Sequence, residues 1–153
     1  MSGRRVAKRR SGCPVNVSLE ILGDRWSLLI VRDIMVRGLR TFREFRDSGE
    51  GIATNVLADR LRKLEAAGIV QARGEETDGR RVNYGLTEKG IDLAPVLLEL
   101  FVWAARHVET GAPCAFTNHM EKNREAVLAE AWRRWREGDR TPLIPPFKET
   151  QKR

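Results

Sequence analysis

Asn55, Arg62 and Lys63 carry side chains that recognise polar and charged edges by hydrogen bonding. A carboxamide can pair with the N6 and N7 edge of an adenine, and a guanidinium can fork onto a guanine or a phosphate. Leu57, Leu61 and Leu64 fall at i, i+4 and i+7, one apolar stripe of a helix. Asn55, Asp59 and Arg62 fall opposite that stripe, with Lys63 beside them. Thr54, at the helix start, can donate to a phosphate or touch a thymine methyl. Asp59 either accepts from a cytosine amino group or holds Arg62 through a pair at i, i+3. Arg60 on the flank is expected at a phosphate, as are Arg40 and Arg43 on the approach side. Arg80 and Arg81 flank an Asp78-Gly79 turn, a position suited to the minor groove or the neighbouring backbone. A surface helix with one buried stripe is common, so the elements around it must carry the reading.

Those elements come in a recognisable order. The helix over 54–66 ends before Gly68, which suits the left-handed position after a helix. Ile69 to Arg73 reads as a short strand, 74–79 as a turn-rich tip, and Arg80 to Leu86 as the returning strand. Upstream, Pro14 at the first helical position puts Cys13 at an N-cap. Val15, Leu19 and Leu22 then give a helix ending near Gly23. Trp26 to Met35 forms a second helix with a broad apolar face, closed by Gly38. Phe42 and Phe45 anchor a brief third one. The glycines at 49 and 51 read as a turn, because their spacing is not that of a phosphate-cradling GxxxxGK[ST] loop. Helix, turn, helix, then hairpin is a winged helix-turn-helix: a mainly α (α+β) fold with a two-stranded wing.

Downstream, Thr87 caps a helix reaching about Val108, with Pro95 kinking it or sitting in its first turns. Leu93, Val96, Leu97, Leu100, Trp103 and Ala104 make one stripe, and Phe101 and Val102 spread apolar character further round. That excess implies a partner surface, and in this architecture a homodimer with long C-terminal dimerisation helices. After the break at Gly111-Ala112-Pro113, Met120 to Glu137 reads as a final helix. Leu128, Ala131, Trp132 and Trp135 lie on one face; Arg124, Arg133, Arg134 and Arg136 lie on the other, read as solvated. This helix is expected to pack near the long one and enlarge the dimer contact.

Composition narrows the function. In 153 residues, 28 Lys and Arg face 21 Asp and Glu, giving +7 and a pI near 10.1, which favours an anionic partner. The N-terminal segment 1–12 is basic with no apolar stretch behind it, and reads as a flexible arm. No run is long enough to span a bilayer. Two cysteines without a CxxC suit a reducing cytoplasm, and nucleoid association is expected only if the anionic partner is DNA. No GxSxG, HExxH or placed nucleophile–base pair is present, so an enzyme is not expected. Cys13, His107, Cys114 and His119 match no zinc spacing, and neither metal nor cofactor is expected.

Several segments together resemble the HxlR-type regulators, a branch of the MarR-like winged-helix transcription factors. They are Cys13-Pro14, Leu22 to Ile30, Arg40 to Phe45, Gly51-Ile52, Leu57, Arg60-Leu61, Leu64-Glu65, Gly68 to Val70, Tyr84 to Gly90, Leu93, Pro95 to Leu97 and Trp103. The resemblance covers roughly 13–110. It implies a dimeric, sequence-specific regulator of double-stranded DNA, with repression released by a signal as the default. The divisions are then an arm (1–12), the winged-helix unit with its dimerisation helix (13–110), a helical extension (111–137) and a flexible tail (138–153). One departure stands out: the family usually has Ser before the recognition helix, where this chain has Ala53. Capping by Thr54 would move the helix start by a residue. Some members use a cysteine at the place of Cys13 as an oxidant or electrophile sensor. Against that stands an inert buried thiol. A small effector between Trp26, Phe101 and Trp103 is a further route, against plain core packing. The rival function is a winged module that binds protein or RNA without operator specificity.

Overall fold

Leu57, Leu61 and Leu64 are each 2% exposed or less, and the rest of the core is assembled on them. The computed structural model describes residues 9–74 and 81–143. Among these, the elements are α1 (Pro14–Leu22), α2 (Ser27–Met35), α3 (Phe42–Arg46), α4 (Thr54–Ala66), β1 (Val70–Gly74), β2 (Val82–Leu86), α5 (Glu88–Ile91), α6 (Ala94–His107), α7 (Cys114–Lys122) and α8 (Arg124–Glu137). Ile30, Val31 and Ile34 of α2, Phe45 of α3, and Ile69, Val70 and Leu86 at the base of the wing close over the leucine stripe.

Local chemistry sets each boundary. The Asp24 carboxylate accepts from the backbone N–H of Trp26 (2.8 Å) and Ser27 (2.9 Å) and from the Ser27 hydroxyl, which starts α2. Thr41 and Glu44 form a capping box at α3. The turn into α4 passes through Gly49 and Gly51 at φ +95° and +74°, where other residues are strained. Helix α4 begins at Thr54 with Ala53 at the N-cap and no side-chain cap, so the expected one-residue shift does not occur. Gly68, at φ +74°, ends it, and Lys89 donates to the Ala67 carbonyl at 2.7 Å. Strands β1 and β2 pair antiparallel from Val70↔Leu86 to Gly74↔Val82. Tyr84 N–H also donates to the Arg40 carbonyl at 2.7 Å, tying the wing to the start of α3. The Asp78-Gly79 tip lies outside the described residues.

The C-terminal third departs from the sequence reading. The single helix expected from Glu88 to Val108 is two, α5 and α6, because Pro95 cannot donate into the preceding turn and instead takes the second position of α6. Leu98 and Val102 are the buried side chains in the middle of α6, whereas Val96, Leu100 and Trp103 point outward at 43%, 48% and 60% exposure. The helix expected over Met120–Glu137 is also two. Asn123 leaves helical geometry (φ −121°, ψ 37°) and its amide bonds the His119 carbonyl at 2.9 Å. Helix α8 packs beside the long helix as expected, with Val127 and Leu128 against Leu98 and Val102 of α6. It folds back on its own winged unit: Ala131 joins the main core, Leu128, Trp132 and Trp135 pack against it, and Trp135 Nε1–H donates to the Leu86 carbonyl at 2.9 Å.

Part of the tail expected to be loose is docked as well. Leu143 N–H donates to the Val36 carbonyl at 2.7 Å, and Arg140 Nε–H donates to the Gly38 carbonyl at 3.2 Å. Residues 144–153 lie outside the described residues. Gly38 is at φ +72°, and a Cβ there would collide with the Arg140 carbonyl oxygen. Gly38→Ala therefore combines left-handed strain of about 1 kcal/mol with displacement of the strap. A lowered denaturation midpoint is expected in the full chain. In a chain ending at Gly138 the cost should shrink to the strain alone. An equal cost in both would mean that the strap is not docked.

Candidate nucleic-acid interface

The outer face of α4 leaves Thr54 and Asn55 exposed at its N-terminal end. The backbone N–H groups of this first turn have no side-chain cap, so they face outward with the helix's positive end. One turn on, Asp59 sits among three cations: Lys63 Nζ at 3.2 Å, Arg60 Nη1 at 3.4 Å and Arg62 Nη2 at 3.8 Å. Arg62 and Lys63 keep 77% and 63% of their side chains exposed. Asp59 thus steadies two basic side chains without removing them from solvent, which matches the i, i+3 alternative.

Two of the expected phosphate contacts are turned inward. Arg60 is half-buried, with Nε 3.2 Å from Asp24 Oδ1, so it ties α4 to the turn before α2. Burial raises the Asp24 pKa. The Ser27 hydroxyl, the Ser27 and Trp26 N–H groups and Arg60's charge outweigh it, and the net value falls below the usual 3.8. Arg40 donates from Nη1 to the carbonyls of Ile34 (2.7 Å) and Leu39 (2.9 Å), closing the end of α2 rather than reaching out. The sequence could not distinguish these arginines from exposed ones, because it shows neither that Asp24 meets α4 nor that the turn after α2 aims its carbonyls at Arg40. Arg43 is 85% exposed and only 3.9 Å from Asp47, a weak restraint. Arg81 is exposed just before β2, and Arg80 lies outside the described residues. Arg73, absent from the sequence reading, is exposed on β1 beside the wing. The alternation from buried Val70 along the strand was the available signal.

The proposed ligand trio does not converge. Trp26 packs into the main core, Phe101 lies edge-on to Phe116 at 5.8 Å, and exposed Trp103 covers His107 at 5.5 Å. Phe101 alone of the three lines a sizeable cavity, about 430 Å³ of mostly aliphatic wall between α2, α6 and α8. Cys13 is exposed at the N-cap of α1. The backbone N–H groups of Asn16 and Val15 at the start of α1 lower its pKa from the usual 9.0; the helix's own N–H groups do this, not the charges of Arg9 and Arg10. Among the described residues, no three His, Cys, Asp or Glu gather as a metal site, and no helix is long and apolar enough to cross a membrane.

The HxlR-like helix-turn-helix family profile matches residues 21–112. The chain belongs to this family. It is a DNA-binding transcriptional regulator with a winged helix-turn-helix fold, not an enzyme. Among its relatives, the HTH-type transcriptional regulator YybR of Bacillus subtilis is 33% identical over 100 residues, covering 65% of this chain and 79% of YybR. The reduced form of the B. subtilis regulator YodB superposes with a TM-score of 0.54 at 33% identity, covering 65% of this chain and 97% of YodB. The oxidised redox regulator HypR gives a TM-score of 0.57 at 32% identity, covering 64% of this chain and all of HypR. The HxlR match spans α2 to α6 whole. Cys13 precedes it, and α7, α8 and the docked strap follow it.

Proposed function

We propose that this HxlR-family protein is a cytoplasmic homodimeric repressor that binds a pseudo-palindromic operator and is released by an oxidant, electrophile or small effector. The observation that carries the reading is the outer face of α4, where exposed Asn55 leads a basic side-chain pair held at Asp59. The B-DNA major groove admits one such helix, N-terminal end foremost. Asn55 and Thr54 meet base edges, Arg62 and Lys63 meet bases or phosphates, and Arg43, Arg81 and Arg80 meet the flanking backbone. Segment 1–12 adds non-specific affinity.

Dimerisation is supported by apolar surface that the single chain leaves uncovered. Helix α1 buries no residue: Val15 and Leu19 are 66% and 59% exposed. Val96, Leu100 and Trp103 line the outer side of α6. The dimerisation unit is thus 13–110, with half-sites about one helical turn apart. Cys13 is the preferred sensor, supported by its exposure and lowered pKa and by the redox regulator HypR among the structural relatives. Oxidation to a sulfenic acid or a disulfide would shift α1, which leaves Val15 and Leu19 uncovered.

The experiment is an anisotropy titration against the DNA flanking the protein's own gene, at two salt concentrations, with reduced and with oxidised protein. Selective binding lost on oxidation is expected, and Cys13→Ser should keep DNA binding and abolish the loss. Selective binding indifferent to oxidant would move the signal to a small ligand. Weak binding to every fragment, erased by salt, would overturn the operator reading. Independently, Cys13 should label with a thiol reagent at neutral pH faster than Cys114; equal or slower labelling would remove it as the sensor.

A further inference from the structure

A cavity of about 680 Å³ lies between the wing and α8, within the size range of small-molecule sites. Its floor is apolar, made by Ile34, Met35 and Ala131. One wall is the Trp135 ring, whose N–H is already committed to the Leu86 carbonyl, so the face it offers is a flat hydrocarbon surface. The rest of the lining mixes the neutral polar side chains of Gln71, Asn83 and Tyr84 with four arginines. Arg40, Arg73, Arg134 and Arg136 face one carboxylate, Asp139. That carboxylate is occupied: it accepts from the Thr141 N–H (2.9 Å) and hydroxyl (2.7 Å) and from Arg133 (3.2 Å). Arg134 is paired with Glu130 at 2.9 Å. Arg73 and Arg136 have no ion pair among the described residues. Arg40 is half-buried, its Nη1 on the Ile34 and Leu39 carbonyls. Burial lowers its pKa and the charge of Arg140 lowers it further, against the opposing pull of Glu44. Positive charge is therefore under-compensated beside an apolar floor and a flat wall.

We propose that this cleft binds a small organic anion with a planar apolar body and one carboxylate or phosphate group. The body lies against Trp135 over the apolar floor, and the anionic group meets Arg73 and Arg136 at the rim, offsetting the charge held at Arg40. The aromatic wall and two of the arginines belong to α8, which lies beyond the span matched by the HxlR family, so the cleft is closed on one side by residues outside that span. An anion bridging Arg73 on β1 and Arg136 on α8 would fix the strand that leads directly into the wing tip. That last consequence, control of DNA binding, rests on the operator reading; the site itself does not.

The test is calorimetric titration of the full-length protein with indole-3-carboxylate and phenyl phosphate, and with indole-3-carboxamide and inorganic phosphate as controls. One saturable site per chain for both aromatic anions is expected. The uncharged amide and the inorganic ion should bind at least ~10-fold more weakly, about 1.4 kcal/mol. The double variant Arg73→Gln, Arg136→Gln changes two exposed side chains, so its melting curve should match the parent. Its affinity for the aromatic anions should drop by ~10-fold or more. No saturable heat with either aromatic anion overturns the site. Equal binding of the amide would make it a plain apolar pocket, and equal binding of inorganic phosphate a plain cation patch; either sinks the proposal. Unchanged affinity in the double variant places the ligand elsewhere, for instance between α2 and α6. If the double variant loses affinity for a short DNA duplex while no aromatic anion binds the parent, these arginines serve DNA phosphates instead. Because the anion readout uses no DNA, failure of this site and failure of the operator reading are separable.

Discussion

Replacing Trp135 with alanine is expected to lower the unfolding free energy by about 3 kcal/mol. The indole packs against the main core and meets Trp132 edge-on at 5.5 Å, and its N–H holds the Leu86 carbonyl at the base of the wing. Truncation loses the burial, opens a cavity and leaves that carbonyl without its indole partner. Full burial would put the loss at the upper end of the range for aromatic truncation, but Trp135 is half-buried, so the lower end applies. Trp135→Phe keeps most of the packing and removes the hydrogen bond, and should cost about 1 kcal/mol. Denaturant unfolding of the three proteins measures both numbers. A loss below about 1 kcal/mol in the alanine variant would mean that α8 does not dock on the wing. The point bears on function because α8 braces the hairpin that carries Arg73 and Arg81.

The second large effect concerns specificity. Asn55→Ala should relax base preference at one position per half-site and cost about 1–3 kcal/mol against the best sequence. Stability should barely change, because the Asn55 side chain is exposed and makes no hydrogen bond among the described residues. Arg81→Ala should instead weaken all sequences alike and reduce the dependence on salt by about one unit of slope, the mark of a phosphate contact. A selection of binding sites from a random pool, run with the parent and both variants, separates the two. Unaltered base preference in Asn55→Ala would show that the helix enters the groove in another register.

The chain's local patterns determined the winged-helix core. The leucine stripe at 57, 61 and 64, the Thr87 cap, the left-handed Gly68 and the paired strands are properties of neighbouring residues, and all of them hold. Periodicity marked the apolar content of residues 93–104 and 128–135 but could not say what each face would meet. Only tertiary packing decided that Leu98 and Val102 point inward while Leu100 and Trp103 remain outside, and that α8 docks on the wing as well as beside α6. The same holds for charge. Arg40, Arg60 and Arg62 are alike in sequence. Arg40 ends on two carbonyls of its own chain, Arg60 beside Asp24, and Arg62 in solvent. A long, flexible cation takes whatever partner the fold brings within reach, a distant aspartate for Arg60 and the carbonyls of its own turn for Arg40.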